Sequence, residues 1–207
     1  MARVDDFKMT IELAAKELAG RDMAQVAANA GAELAPDNSR LSLLYYGRPV
    51  RVSLAPIAVA AADDGPELPL QEQGLILHYL VNADGAPLSG EWITFREIPG
   101  GEFYMSAFLK RTRDPLVGVF GARPQVIKEL GPLVGGELKI GGADVEVEVT
   151  AFPHVRLLIQ LWAGDEEFPP EGSVLLDKNS HHYLSTEDVA LAAGLPIYKM
   201  MALSRNH

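Results

Sequence analysis

Three consecutive carboxylates, Asp165, Glu166 and Glu167, precede a histidine pair, His181 and His182, and a second acidic pair, Glu187 and Asp188, in the stretch LWAGDEEFPPEGSVLLDKNSHHYLSTED. Adjacent carboxylates repel one another, and a cation or a basic side chain nearby relieves the repulsion. Oxygen donors of this kind suit a hard cation such as Mg²⁺ or Ca²⁺. Asp165, Glu167 and His182 therefore form a candidate set of ligands, or ligands and a general base, for metal-assisted hydrolysis. The same run also reads as a solvated acidic turn, the commoner fate of a charge run.

Histidines next to each other on extended backbone point to opposite faces, so only one of the pair can serve a given site. His182 is the candidate, because Tyr183, Leu184 and a helix start follow it directly. In that helix start, Ser185 has the position of an N-cap and Asp188 that of the third residue, the spacing of a capping box. Glu187 in the first turn suits the helix dipole. A helix N-terminus also offers free N–H groups to an anion.

The positive counterpart is a basic island, Lys110, Arg111, Arg113, Arg123 and Lys128, in which Asp114 and Glu129 are the only acids from 110 to 129. It can take a phosphate or carboxylate, or pair with Asp165, Glu166 and Glu167. Arg96 is a further cation. The candidate ligand-binding set is thus Trp162, Asp165, Glu166, Glu167, His182, Tyr183, Arg96, Arg111 and Arg113. His78, on an otherwise apolar helix, reads as a satisfied core or boundary histidine. No GxGxxG, phosphate loop, GxSxG or HExxH occurs in the chain.

These residues need elements to hold them. Asp5 to Gly20 and the stretch after Asp22 read as two helices, the second ended by Gly31. LSLLYYG and RPVRVSLA read as a hairpin, 61–69 as a loop, and Leu70 to Ala83 as a helix. EWITFREI reads as a strand with Trp92, Thr94 and Arg96 on one face. EFYMSAFLKRTR returns to a helical period, Asp114-Pro115 reads as a cap opening a further helix, and PQVIKEL forms another. GELKI and VEVEVTAF read as a hairpin, VRLLIQLW as a central strand and SVLLD as a short one. The last helix runs from about Thr186 to Met201, with Pro196 expected to kink or break it. The class expected is α+β, with a mainly antiparallel sheet and helices grouped on one face, in a single domain over 1–207 with an N-terminal helical subregion over 1–31.

The chain has 207 residues, a formal net charge of −10 and no cysteine. The negative charge argues against nucleic acid and anionic membrane surfaces as partners. The missing thiols exclude disulfides, thiolate catalysis and thiolate metal sites on this chain. No signal peptide is evident, and no apolar run reaches the roughly 18 residues that span a bilayer. A soluble, cytoplasmic protein is the expectation.

Two long segments, LSGEWITFREIPGGEFYMSAFLKRTRDPL and LWAGDEEFPPEGSVLLDKNSHHYLSTEDVALA, resemble an uncharacterised bacterial and archaeal family, domain of unknown function 3786. Its members are often found in anaerobes, and some relatives add a cysteine-rich iron–sulfur segment that this chain lacks. The resemblance implies no activity, cofactor or catalytic residue. It places Glu91, Trp92, Arg96, Trp162, Asp165, Glu166, Glu167, Asp177, Tyr183 and Asp188 within family motifs. The function expected is an accessory or binding module for a small anionic ligand, a cofactor or a protein partner. The alternatives are the metal-assisted hydrolase above and a scaffold. Either site requires the loop after Trp162, the His182-Tyr183 segment and the start of the last helix to converge.

Overall fold

A computed structural model describes residues 2–63 and 65–205; Asp64, in the expected 61–69 loop, lies outside the described residues. The chain begins with α1 (Ala2–Ala19) and α2 (Met23–Ala30). Asp22 caps α2 by accepting from the backbone N–H of Ala24 at 2.9 Å, and Gly31 ends it at φ 60°. A four-stranded antiparallel sheet follows, in the order β1 (Glu33–Leu34), β2 (Arg40–Tyr45), β3 (Arg48–Leu54), β4 (Ile57–Ala61). Tyr45 pairs with Arg48, leaving Tyr46 and Gly47 as a two-residue turn with φ of 49° and 73°. Positive φ at both positions is the geometry that matches the twist of a tight hairpin.

Then come α3 (Leu70–Asn82), β5 (Trp92–Ile93), α4 (Gly101–Arg111), α5 (Arg113–Phe120) and α6 (Gln125–Leu130). The remaining elements are β6 (Gly136–Lys139), β7 (Val145–Phe152), β8 (Val155–Trp162), β9 (Glu171–Asp177) and α7 (Thr186–Ser204). The second sheet is antiparallel in the order β5-β9-β8-β7-β6. The fold is α+β, with its antiparallel strands shared between two sheets. The central strand expected at VRLLIQLW is the middle one, β8. Buried residues of both sheets and of the helices form one contiguous core. The N-terminal helices join it: the Tyr79 hydroxyl on α3 donates to the Ala30 carbonyl at 2.8 Å, and Asn29 donates to Ala83 at 3.0 Å.

Three local expectations are corrected. EWITFREI is a strand only at Trp92 and Ile93. The Thr94 N–H donates to Glu97 at 2.7 Å, forming a capping box that turns Phe95–Glu97 into a 3-10 helix. Asp114 does not cap α5, because the helix already begins at Arg113, and its carboxylate pairs with Arg113 at 2.9 Å. The third is a break at Pro196, which does not occur; the helix continues to Ser204.

The proline is tolerated for a specific reason. Having no N–H, Pro196 leaves the carbonyl of Ala192, four residues earlier, without its helical donor. The buried Tyr46 hydroxyl fills that place, donating to Ala192 at 2.6 Å from the β2–β3 turn. Burial, aided by the Glu72 carboxylate, pushes the Tyr46 phenol above its ordinary value, so it remains a donor. Tyr46→Phe should strand that carbonyl and cost about 1–3 kcal/mol. At about 2–4 °C per kcal/mol for a chain of this size, thermal denaturation should show a fall of several degrees. An unchanged midpoint would mean that the carbonyl is satisfied in another way.

Candidate functional site

The elements named by the acidic and histidine motifs lie at separate places. The loop carrying Asp165, Glu166 and Glu167 joins β8 to β9 where Trp162 pairs with Glu171. The His181-His182 pair follows the far end of β9, where Asp177 pairs with Trp92. Seven residues of strand separate the two ends, about 20 Å at the rise of extended chain. The structure thus does not bring the loop and His182 around one hollow. Among the described residues, no three His, Asp or Glu side chains are grouped to hold a metal ion.

Each motif has local work to do. Asp165 turns back on its own loop, accepting from the N–H of Phe168 at 2.7 Å and Glu167 at 2.8 Å. Those two donors hold its carboxyl below the usual carboxylate range. Trp162 gives its indole N–H to the Gly142 carbonyl at 3.1 Å. His181 and His182 occupy a 3-10 turn, Lys178–His182, opened by Asp177, which accepts from the N–H of Asn179 at 3.0 Å. The backbone there is not extended, so the two rings lie together, with centroids 4.5 Å apart. His182 Nδ1 lies 2.6 Å from Asp84. Tyr183 is a core residue, stacked between Tyr79 and His154. Arg96 is exposed on its turn. Arg113 is held by Asp114, and among the described residues no ion pair joins the basic island to Asp165, Glu166 or Glu167.

Arg111 and the start of α7 do come together, at a groove of about 630 Å³ whose walls are α1, α3, the end of α4 and α7. Phe7 and Thr10 come from α1; Leu70, Gln71, Gly74, Leu75 and His78 come from α3. Arg111 closes α4, and Ser185 leads into the α7 residues Glu187, Asp188, Leu191, Gly194, Leu195 and Tyr198. The volume is in the range of small-molecule sites, roughly 300–1,000 Å³. Gly194 allows α4 to end against α7: a Cβ there would sit 3.0 Å from the Arg111 carbonyl oxygen.

The polar end of the groove is a linked set. Ser185 Oγ accepts from the Asp188 N–H at 3.2 Å and donates to Asp188 Oδ2 at 2.7 Å, as the capping spacing anticipates. The same carboxylate meets His78, whose Nδ1 lies 3.0 Å from both of its oxygens. His78 is the residue that reasoning from sequence undervalued. Its partner is 110 positions away, and the only local signal was a lone imidazole on an apolar helix. The hydrogen bond His78 makes to the Asp188 carboxylate raises the His78 pKa, against the opposing effect of burial, with Glu17 and Glu187 adding to the rise. The arrangement fixes an imidazole through one nitrogen beside a groove, so that it can carry a proton and a positive charge there.

The sign of the linkage follows from that direction. A histidine pKa raised in the folded state contributes stability that is fully present below the unfolded value, about 6.5, and is lost as pH rises through the folded value. His78→Gln should therefore be less stable than the unaltered chain at pH 5.5, and the gap should narrow by pH 8.5. Urea denaturation at a series of pH values reads this directly. A gap that does not vary with pH would show that His78 carries no charge in that window.

The model of the family described as domain of unknown function DUF3786 matches residues 22–199, which takes in every wall of the groove except α1. No curated protein and no solved structure matches the chain. With most of its length so matched, the chain belongs to the DUF3786 family.

Proposed function

We propose that this chain is a binding module for a small organic molecule bearing an anionic group, and that the molecule sits in the groove between α3 and α7. The observation that carries this reading is Arg111. It is partly buried on the groove wall and has no carboxylate partner among the described residues. A guanidinium left without a carboxylate partner beside a groove is a strong site for a carboxylate or phosphate. Gln71 adds a polar group that can orient an occupant, and Leu75, Leu191 and Leu195 add apolar wall. Convergent polar groups on an apolar concavity are the common make-up of a small-molecule site.

The reading keeps Arg111 and the start of α7 from the motif-based set. It gives no ligand role to Trp162 or Tyr183, whose polar atoms are already engaged within the protein. An acidic chain without cysteine supports a cytoplasmic setting and a single domain over 1–207, in which both sheets share one core.

A thermal-shift series with organic carboxylates and phosphates tests the proposal. A ligand at 100 times its Kd stabilises by about 2.7 kcal/mol, a rise of several degrees. The rise should vanish in Arg111→Gln and persist in Arg113→Gln, since Arg113 is already paired. A ligand whose shift survives Arg111→Gln would sink the assignment.

A further inference from the structure

The charges along the groove say more about its occupant, on the reading just given. His78 and Asp188 pair at 3.0 Å and offset each other's charge while His78 is protonated. That leaves Arg111 and Glu187, neither of which has an ion-pair partner among the described residues, although both line the groove. A purely anionic ligand would satisfy Arg111 and be repelled by Glu187. A ligand with both charges satisfies both.

The separation of their points of attachment can be read along α7. Glu187 and Gly194 are seven residues apart and lie on the same face of the helix, with Leu191 between them. The rise of an α-helix separates them by about 10 Å along its axis. The Arg111 backbone sits on Gly194, so the two residues are attached near opposite ends of this stretch. Between them lies an apolar floor of Leu191 and Leu195, faced by Leu75 on α3. An extended chain advances about 3.3 Å per residue, so three residues cover about 10 Å.

We infer that the groove takes a short zwitterionic peptide of about three residues with apolar side chains, its ammonium at Glu187 and its carboxylate at Arg111. The groove volume of about 630 Å³ accommodates more than a single amino acid. Gln71 lines the groove and carries both a donor and an acceptor for peptide groups.

Isothermal titration calorimetry with leucyl-alanyl-leucine tests this, alongside its N-acetylated and C-amidated forms, on the full chain and on Glu187→Gln and Arg111→Gln. Both substitutions alter surface-accessible groove residues, and circular dichroism with a melting curve confirms that each variant is folded. The free peptide should bind about tenfold more tightly than either blocked form, the value of one charge-assisted contact. Glu187→Gln should bring the free peptide down to the level of the acetylated one, which itself should not change. Arg111→Gln should do the same with respect to the amidated peptide. If the acetylated peptide binds as well as the free one, the zwitterion is overturned while the anion site stands. If the amidated peptide binds as well as the free one and Arg111→Gln changes nothing, the anion site falls too. If no form binds at millimolar concentration, the peptide is overturned, and the carboxylate and phosphate series decides separately whether the anion site stands.

Discussion

The fold depends on one carbonyl group. Pro196 sits in the buried central part of the long helix α7 and leaves Ala192 without its helical donor. In a core, an unmet carbonyl costs as much as a lost hydrogen bond, so the helix needs a donor from elsewhere. Tyr46 provides it from a turn in which it holds a left-handed conformation, an uncommon one for a tyrosine. One hydroxyl thereby fixes where the first sheet meets α7. Because α7 starts with Ser185 and Asp188, the same contact helps to set where the groove's polar end lies.

Two ion pairs then tie α3 to α7. Lys199 meets the buried Glu72 at 3.1 Å, and its ammonium lies 5.0 Å from the Tyr46 ring centroid and 5.4 Å from that of Tyr45. His78 meets Asp188 nearer the other end of the groove. Going up α3 from 72 to 78 corresponds to going down α7 from 199 to 188, so the two helices run in opposite senses. Glu72 is the most buried of the four partners, and breaking its pair would leave a charge in low dielectric. The His78 pair is titratable near neutral pH. The structural lock and the proton-carrying pair are thus separate contacts on the same two helices.

The family motifs divide along similar lines. Asp177 is buried and accepts N–H bonds from Ser89, Gly90 and Asn179, binding the approach to β5 onto the end of β9. Glu91 meets Lys178 at 2.9 Å. Asp165 folds its own loop, and Tyr183 fills the core. These residues hold the second sheet and its connections in shape. Asp188 is the motif residue that both bonds the Ser185 cap of α7 and faces the groove. A run of carboxylates or a pair of histidines attracts notice as chemistry, yet here the nearest backbone N–H groups and carbonyls take up much of that polar capacity.

Local chemistry was written plainly in the chain. The alternation in VEVEVTAF, the continuous apolar run of VRLLIQLW, the Asp22 and Ser185 caps and the α+β class all follow from interactions within a few residues, which a single stretch contains entirely. The Thr94–Glu97 capping box was equally local but competed with a strand pattern, and the capping hydrogen bonds prevailed. What sequence could not supply were partners distant along the chain. The Tyr46 hydroxyl reaches Ala192 across 146 positions and His78 reaches Asp188 across 110. The groove, the pairing inside it and the two charges left over arise only when α1, α3, α4 and α7 are laid side by side. Side-chain contacts of that kind depend on the relative placement of whole elements, which no local periodicity encodes.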